Sequence, residues 1–172
     1  AAEFPVDSSW GYNPAHPFSV ESAYGTPRDL KRFIEAAHSH GLAVIMDVVY
    51  NHFGPNDEGT WQFDEWVPVW EGKDMGGTYY YPDWRAKTPW GEKNRPDYGR
   101  PEVREFLRDN ALMWLHEFRV DGLRFDATNY IRSVNGLEEP LDSPANLGGW
   151  GWNLLRWIND EIKGNQPWKI TI

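Results

Sequence analysis

The sequence predicts an α/β chain built on a parallel sheet, specifically a partial (β/α)8 TIM barrel. Two observations carry the prediction. Helical and strand-like periods alternate along the chain, which calls for βαβ units. The polar residues that stand out also fall at the C-terminal ends of predicted strands, the face on which such barrels carry their chemistry.

Residues 1–25 read as irregular, punctuated by Pro5, Gly11, Pro14, Pro17 and Gly25. A helix is expected over 27–40. Thr26 is a good N-cap, Pro27 occupies the first helical position, and Gly41 ends the helix. Leu30, Phe33, Ile34 and Ala37 supply its apolar stripe. The unbroken apolar run Leu42–Met46, ending in Asp47, suits a parallel strand covered on both faces. From 53 to 99 no helical period is sustained, so this segment reads as a functional insertion or small subdomain. A second helix over 101–117 opens with Pro101 and buries Val103, Phe106, Leu107, Ala111 and Trp114. A strand over 120–126 follows. A loop, a helix over 152–163 and a strand over 168–172 complete the pattern. The domains are then 1–52 with 100–172, interrupted by 53–99.

Composition narrows the function classes. Cysteine is absent, so neither a disulfide framework nor a thiolate nucleophile is available. A net charge of −9 does not suit a nucleic-acid partner. The longest apolar stretch is too short to span a membrane, and no signal peptide is visible, so the expectation is a cytoplasmic protein. The chain carries 11 Trp, 8 Tyr and 8 Phe. Large aromatics fill cores and interfaces, but many of these, including Trp61, Trp66, Trp70, Tyr79, Tyr80 and Trp84, lie in Gly/Pro-rich segments. Aromatic faces of that kind also pack against the C–H faces of sugars.

Two strand ends carry the chemistry. The first reads Asp47-Val48-Val49-Tyr50-Asn51-His52, the second Gly122-Leu123-Arg124-Phe125-Asp126. Arg124 and Asp126 are two apart on a strand and share a face, so the guanidinium can hold the carboxylate ionised and oriented. A carboxylate held in that way is what a retaining glycosidase uses against an anomeric carbon. Alone, an R-x-D pair is the ordinary chemistry of a structural salt bridge, a strand-end Asp that of a helix cap, and a lone His that of a hydrogen-bonded structural residue.

Together and in this order, the segments resemble the first two signature regions of the α-amylase superfamily (glycoside hydrolase family 13), D-x-x-x-N-H and G-x-R-x-D. Trp10-Gly11-Tyr12-Asn13-Pro14 and Ser22-Ala23-Tyr24-Gly25 resemble the loop after barrel strand two in its branching enzymes and trehalohydrolases. The resemblance implies strands three to five of the barrel, with 53–99 as the inserted domain B. It implies Asp126 as nucleophile, Arg124 as the residue keeping it charged and Asp47 as the support of that arginine. His52 and Tyr12 are implied as binding residues for the sugar at the cleaved bond.

Asn51 matches a calcium ligand of calcium-dependent relatives. Those carry a Lys-His pair where Asn129-Tyr130 stand here, so no cofactor is expected. The implied partner is an α-1,4-glucan or maltooligosaccharide. The implied activity is 1,4-α-glucan branching, with trehalohydrolase or other amylase-type hydrolysis as the alternative. A non-catalytic relative would usually lack the nucleophile or its arginine, and both are present. The family's acid/base glutamate and second aspartate are expected beyond Ile172.

Overall fold

The computed structural model describes residues 2–4, 10–54, 59–140 and 142–172. Pro5 lies outside the described residues. The chain opens with β1 (Ala2–Glu3) and β2 (His16–Val20), an antiparallel pair where irregular chain was expected. Pro17 inside β2 argued against a strand, yet a proline is tolerated in a short peripheral ribbon of this kind. Buried Glu21 anchors the ribbon, accepting from the Phe4 and Ala23 amides at 3.1 and 2.9 Å.

Helix α1 (Pro27–Ser39) starts as its sequence dictates. Thr26 and Asp29 form a reciprocal capping box ahead of Pro27. At its other end Gly41 takes φ +72° and donates to the His38 carbonyl, while Leu42 donates to that of Ala37. This paired closure draws Leu42 into the helix cap, so the strand starts at Ile45 rather than at Leu42. Of the expected stripe only Ile34 is fully buried; Phe33 is 61% exposed because no described residue covers that side.

The central sheet contains β3 (Ile45–Val48), and the insertion after it carries a small hairpin, β4 (Val69–Trp70) with β5 (Lys73–Asp74). Helix α2 (Pro101–His116), β6 (Gly122–Phe125), a short helix α3 (Thr128–Arg132), α4 (Trp150–Asn165) and β7 (Ile170–Thr171) follow. The α3 turn had no periodic signal in a stretch read as loop. The sheet order is β3-β6-β7, parallel throughout, as the alternation of periods predicts. Gly122 is the residue that permits the close approach of β6 and β7. A Cβ there would sit 2.4 Å from the Ile170 carbonyl oxygen.

The core lies on one face of this sheet. Met46, Val48, Leu123 and Phe125 cluster with Ile34 of α1, Leu107, Ala111 and Trp114 of α2 and Leu155, Ile158 and Ile162 of α4. Burial on both faces, expected for β3, does not occur: Ile45 and Asp47 alternate outward with Met46 and Val48 inward. Phe53, Met75, Tyr80, Tyr81, Ala86 and Tyr98 join the same cluster, so the insertion shares the core of the sheet and helices. Asn94 closes the insertion near its base, its amide donating to the Phe53 carbonyl at 3.1 Å while Phe53 N–H donates back to Asn94.

Candidate active site

Parallel register does what spacing along the chain cannot. It places Asp47 on β3 directly beside Arg124 on β6, both on the open face of the sheet. Asp126, two residues beyond Arg124, continues the row. Its amide donates to the Val48 carbonyl at 3.0 Å, so the β3–β6 ladder runs up to this residue. Ala127 then takes φ +44°, a left-handed turn uncommon for a residue with a Cβ, and the chain enters α3. Asp126 is therefore presented where the strand stops.

Arg124 joins the row. Its Nη1 lies 2.9 and 2.8 Å from the Asp47 carboxylate oxygens and 2.9 Å from Asp126 Oδ1. The Tyr12 hydroxyl donates to Asp47 Oδ2 at 3.1 Å, and the Arg124 guanidinium lies over the Tyr12 ring. The Asp47 hydrogen bond holds the guanidinium above its ordinary pKa, and the same carboxylate keeps the Tyr12 phenol protonated. One cation thus bridges two carboxylates. Asp47 is occupied by Arg124 and Tyr12, whereas Asp126 is the member at the strand end.

The second oxygen of Asp126 is held from the other side. Asn51 Nδ2 donates to the Asp126 carbonyl at 2.9 Å and to Oδ2 at 3.3 Å. That orientation turns Asn51 Oδ1 to His52 Nδ1. His52 is 1% exposed, and burial, with help from the charge of Arg95, lowers its pKa to about 4. A neutral ring has one N–H. Nε2 lies 2.9 Å from Asn13 Oδ1, so both ring nitrogens meet amide oxygens and the single N–H serves only one of them. The ring also stacks on Trp90, with centroids 4.8 Å apart, and Trp90 meets Tyr130 edge-on.

All five residues singled out for chemistry, Tyr12, Asp47, His52, Arg124 and Asp126, therefore gather at the β3 and β6 ends. His52 differs from the others in being sealed between Asn51, Asn13 and Trp90. As for a cation at Asn51, its side-chain oxygen already meets the His52 ring and its amide nitrogen donates to Asp126. Asn129 donates to the Gly136 carbonyl at 3.2 Å. No group of three or more His, Cys, Asp or Glu side chains suited to a metal occurs among the described residues.

Asn13, Trp90 and Arg95 had no assigned place in this arrangement. Arg95 is fully buried and faces four carbonyls: Arg85 at 2.7 Å, Lys87 at 2.7 Å, Val134 at 2.9 Å and Tyr130. It clamps the insertion to the segment that follows Asp126. A buried arginine with only carbonyl partners leaves no pattern in sequence, because arginine is ordinarily an exposed residue.

Comparison with known proteins accords with this geometry. The model of the alpha-amylase catalytic domain matches residues 4–96. Three curated relatives, each named 1,4-alpha-glucan branching enzyme GlgB, are similar to the chain. That of Pseudoalteromonas atlantica is 36% identical over 99% of this chain and 23% of its own length. That of Saccharophagus degradans is 40% identical over 99% and 23%, and that of Oceanobacillus iheyensis 46% identical over 77% and 20%. A crystal structure from Salmonella typhimurium, described as an alpha amylase, superposes with a TM-score of 0.69 at 30% identity, covering 99% of this chain and 24% of that one. The chain thus spans about a quarter of the length of the relatives it matches.

Proposed function

Because the chain belongs to the alpha-amylase catalytic-domain family, we propose that it supplies the nucleophile half of the active site of a retaining α-glucan enzyme, a 1,4-α-glucan branching enzyme. In this reading β3, β6 and β7 are strands three to five of a (β/α)8 barrel, and 53–99 is the domain inserted after strand three. The observation that supports it most is the state of Asp126. One oxygen is met by Arg124 and the other by Asn51, so the carboxylate is paired with a cation, oriented and placed at the strand end.

A carboxylate in that state attacks the anomeric carbon of an α-1,4-linked glucose. An Asp126 oxygen bonds to C1 as the C1–O4 bond breaks, and the departing oxygen takes a proton from a carboxylic acid on the opposite side. Asp47 does not serve as that acid in this reading, since Arg124 and Tyr12 engage its carboxylate. The proton donor therefore belongs to another part of the whole protein. In the second step an acceptor hydroxyl displaces Asp126 and returns a proton to that acid. A 6-hydroxyl of another chain gives a branch, and water gives hydrolysis.

Arg124 offsets negative charge while Asp126 is free, and Tyr12 offers a ring face beside the sugar. His52 acts through Asn51: its buried ring meets the Asn51 side-chain oxygen and so fixes the amide that orients Asp126. Asn51 itself serves as a bridge rather than a cation ligand. The relatives' names favour transfer, while the Salmonella structure's description keeps hydrolysis as a second reading. The partner in either case is an α-1,4-glucan or maltooligosaccharide. No helix among the described residues is long and apolar enough to cross a membrane.

The test is an assay of the full-length protein on amylose. Branching yields new α-1,6 linkages at constant reducing-end number; hydrolysis raises the reducing-end number; a trehalohydrolase releases trehalose from its own substrate. Asp126→Asn should reduce kcat by at least about three orders of magnitude, with glucan binding retained. Retention of more than about a tenth of the activity would mean that another residue is the nucleophile.

A further inference from the structure

The insertion carries a concavity separate from the strand-end cluster. It encloses about 230 Å³ and is walled by Trp70 and Trp84, 40% and 43% exposed, with Glu71, Lys73, Lys87 and Glu92 among its charged lining. None of the residues lining it belongs to the Tyr12–Asp47–Arg124–Asp126 group. One wall is a rigid device: β4 and β5 are joined by Glu71 at φ +49° and Gly72 at φ +73°, the two left-handed residues of a tight hairpin turn. The other is the turn 87–92, closed by the Thr88–Gly91 bridge and by a 2.8 Å Lys87–Glu92 ion pair.

We propose that this concavity is a binding site for a single glucose unit of an α-glucan chain, remote from the site of bond cleavage; the proposal rests on the glucan reading above. Three features select that ligand class. Charges of both signs line the walls, so the site favours neither an anion nor a cation and suits a neutral polyhydroxyl ligand. Two half-exposed indoles in the lining supply apolar surface suited to the C–H groups of a sugar ring, while carboxylates and ammonium groups serve its hydroxyls. The volume admits one ring rather than a length of chain. The turn 87–92 also joins the two sites without merging them. Its stem residues Lys87 and Glu92 face this concavity, and Trp90 at its tip stacks on His52. A chain held here raises the local concentration of glucan at the strand ends without changing the reacting groups.

The experiment compares the full-length protein with Trp70→Ala/Trp84→Ala, Trp70→Phe/Trp84→Phe and Asp126→Asn, using retardation in gels containing glycogen and initial rates on amylose and maltotetraose. The double alanine variant should lose about tenfold in glycogen affinity and raise KM for amylose, with maltotetraose turnover within about twofold of the unmodified protein. The double phenylalanine variant, which keeps ring faces and fold, should recover most of the retardation. Unchanged glycogen affinity in the double alanine variant, an equal loss on both substrates, or no retardation of the unmodified protein would each overturn the site. Asp126→Asn separates the two readings. Retardation that depends on Trp70 and Trp84, in a protein whose turnover survives Asp126→Asn, leaves this site standing and sinks the nucleophile assignment.

Discussion

The strand-end face and the inserted segment are each organised around an arginine, and the two arginines do opposite things. Arg124 is part-exposed, with Asp47, Asp126 and Tyr12 around its guanidinium. Arg95 is fully buried and meets only main-chain carbonyls from two distant stretches. The first arrangement is electrostatic and sits at an open face, where removing the cation changes the charge and aim of a carboxylate more than it changes the fold. The second is architectural. Its guanidinium satisfies four buried carbonyls, and its removal strands them. Comparable side chains in one small chain thus separate chemistry from construction, and burial with partner type tells which is which.

Substitution of each arginine is the sharpest way to break that contrast. In the full-length protein Arg124→Ala should lower kcat on amylose by about a thousandfold, because Asp126 loses its compensating charge and orientation. Thermal stability should fall little, since the side chain is part-exposed. A loss of activity explained wholly by a lowered Tm would erase the distinction. Arg95→Met should do the reverse and destabilise by on the order of 3 kcal/mol, with several buried carbonyls left without donors. A urea titration giving less than about 1 kcal/mol would show that water replaces the guanidinium without cost.

The third expectation concerns pH, and it tests whether His52 belongs with the construction. Its folded pKa is depressed to about 4 from an ordinary 6.5. The unfolded ring therefore binds a proton at higher pH than the folded one, and stability falls as pH drops from 6.5 toward 4. The full effect is about 3 kcal/mol. His52 ring resonances should stay constant between pH 8 and 5, and His52→Gln should flatten the acid side of the stability profile. A ring titrating near 6.5 would place His52 among the open, functional groups instead. At the small end, Lys163→Ala, exposed on α4, should change stability by no more than about 0.5 kcal/mol and leave turnover unchanged. A larger effect in a denaturant titration would mean that the far end of α4 matters to one of the two regions.

The same division separates what was legible from what was not. Thr26, Pro27 and Gly41 wrote the limits of α1 locally, and apolar periods wrote α2, α4 and the three parallel strands. The strand-end position of Asp47 and Asp126 and the two-residue spacing of Arg124 from Asp126 were equally local facts. In 53–99, by contrast, aromatic clusters without a period gave no sign that Phe53, Tyr80 and Tyr98 join the core of the sheet, or that Trp90 covers His52. The β1–β2 ribbon was hidden by Pro17 for a similar reason: a short edge pairing draws little on intrinsic propensity.

By itself, then, the sequence determined the order and kind of the main elements and which side chains stand at the strand ends, since caps, periods and motif spacing act over a few residues. Tertiary structure alone decided the rest. The β3–β6 register set Arg124 opposite Asp47, hydrogen bonding across 75 positions turned Asn51 toward Asp126, and burial kept His52 neutral. Each of these depends on residues far apart in the chain meeting in a low-dielectric interior, and contact of that kind leaves no trace in local spacing.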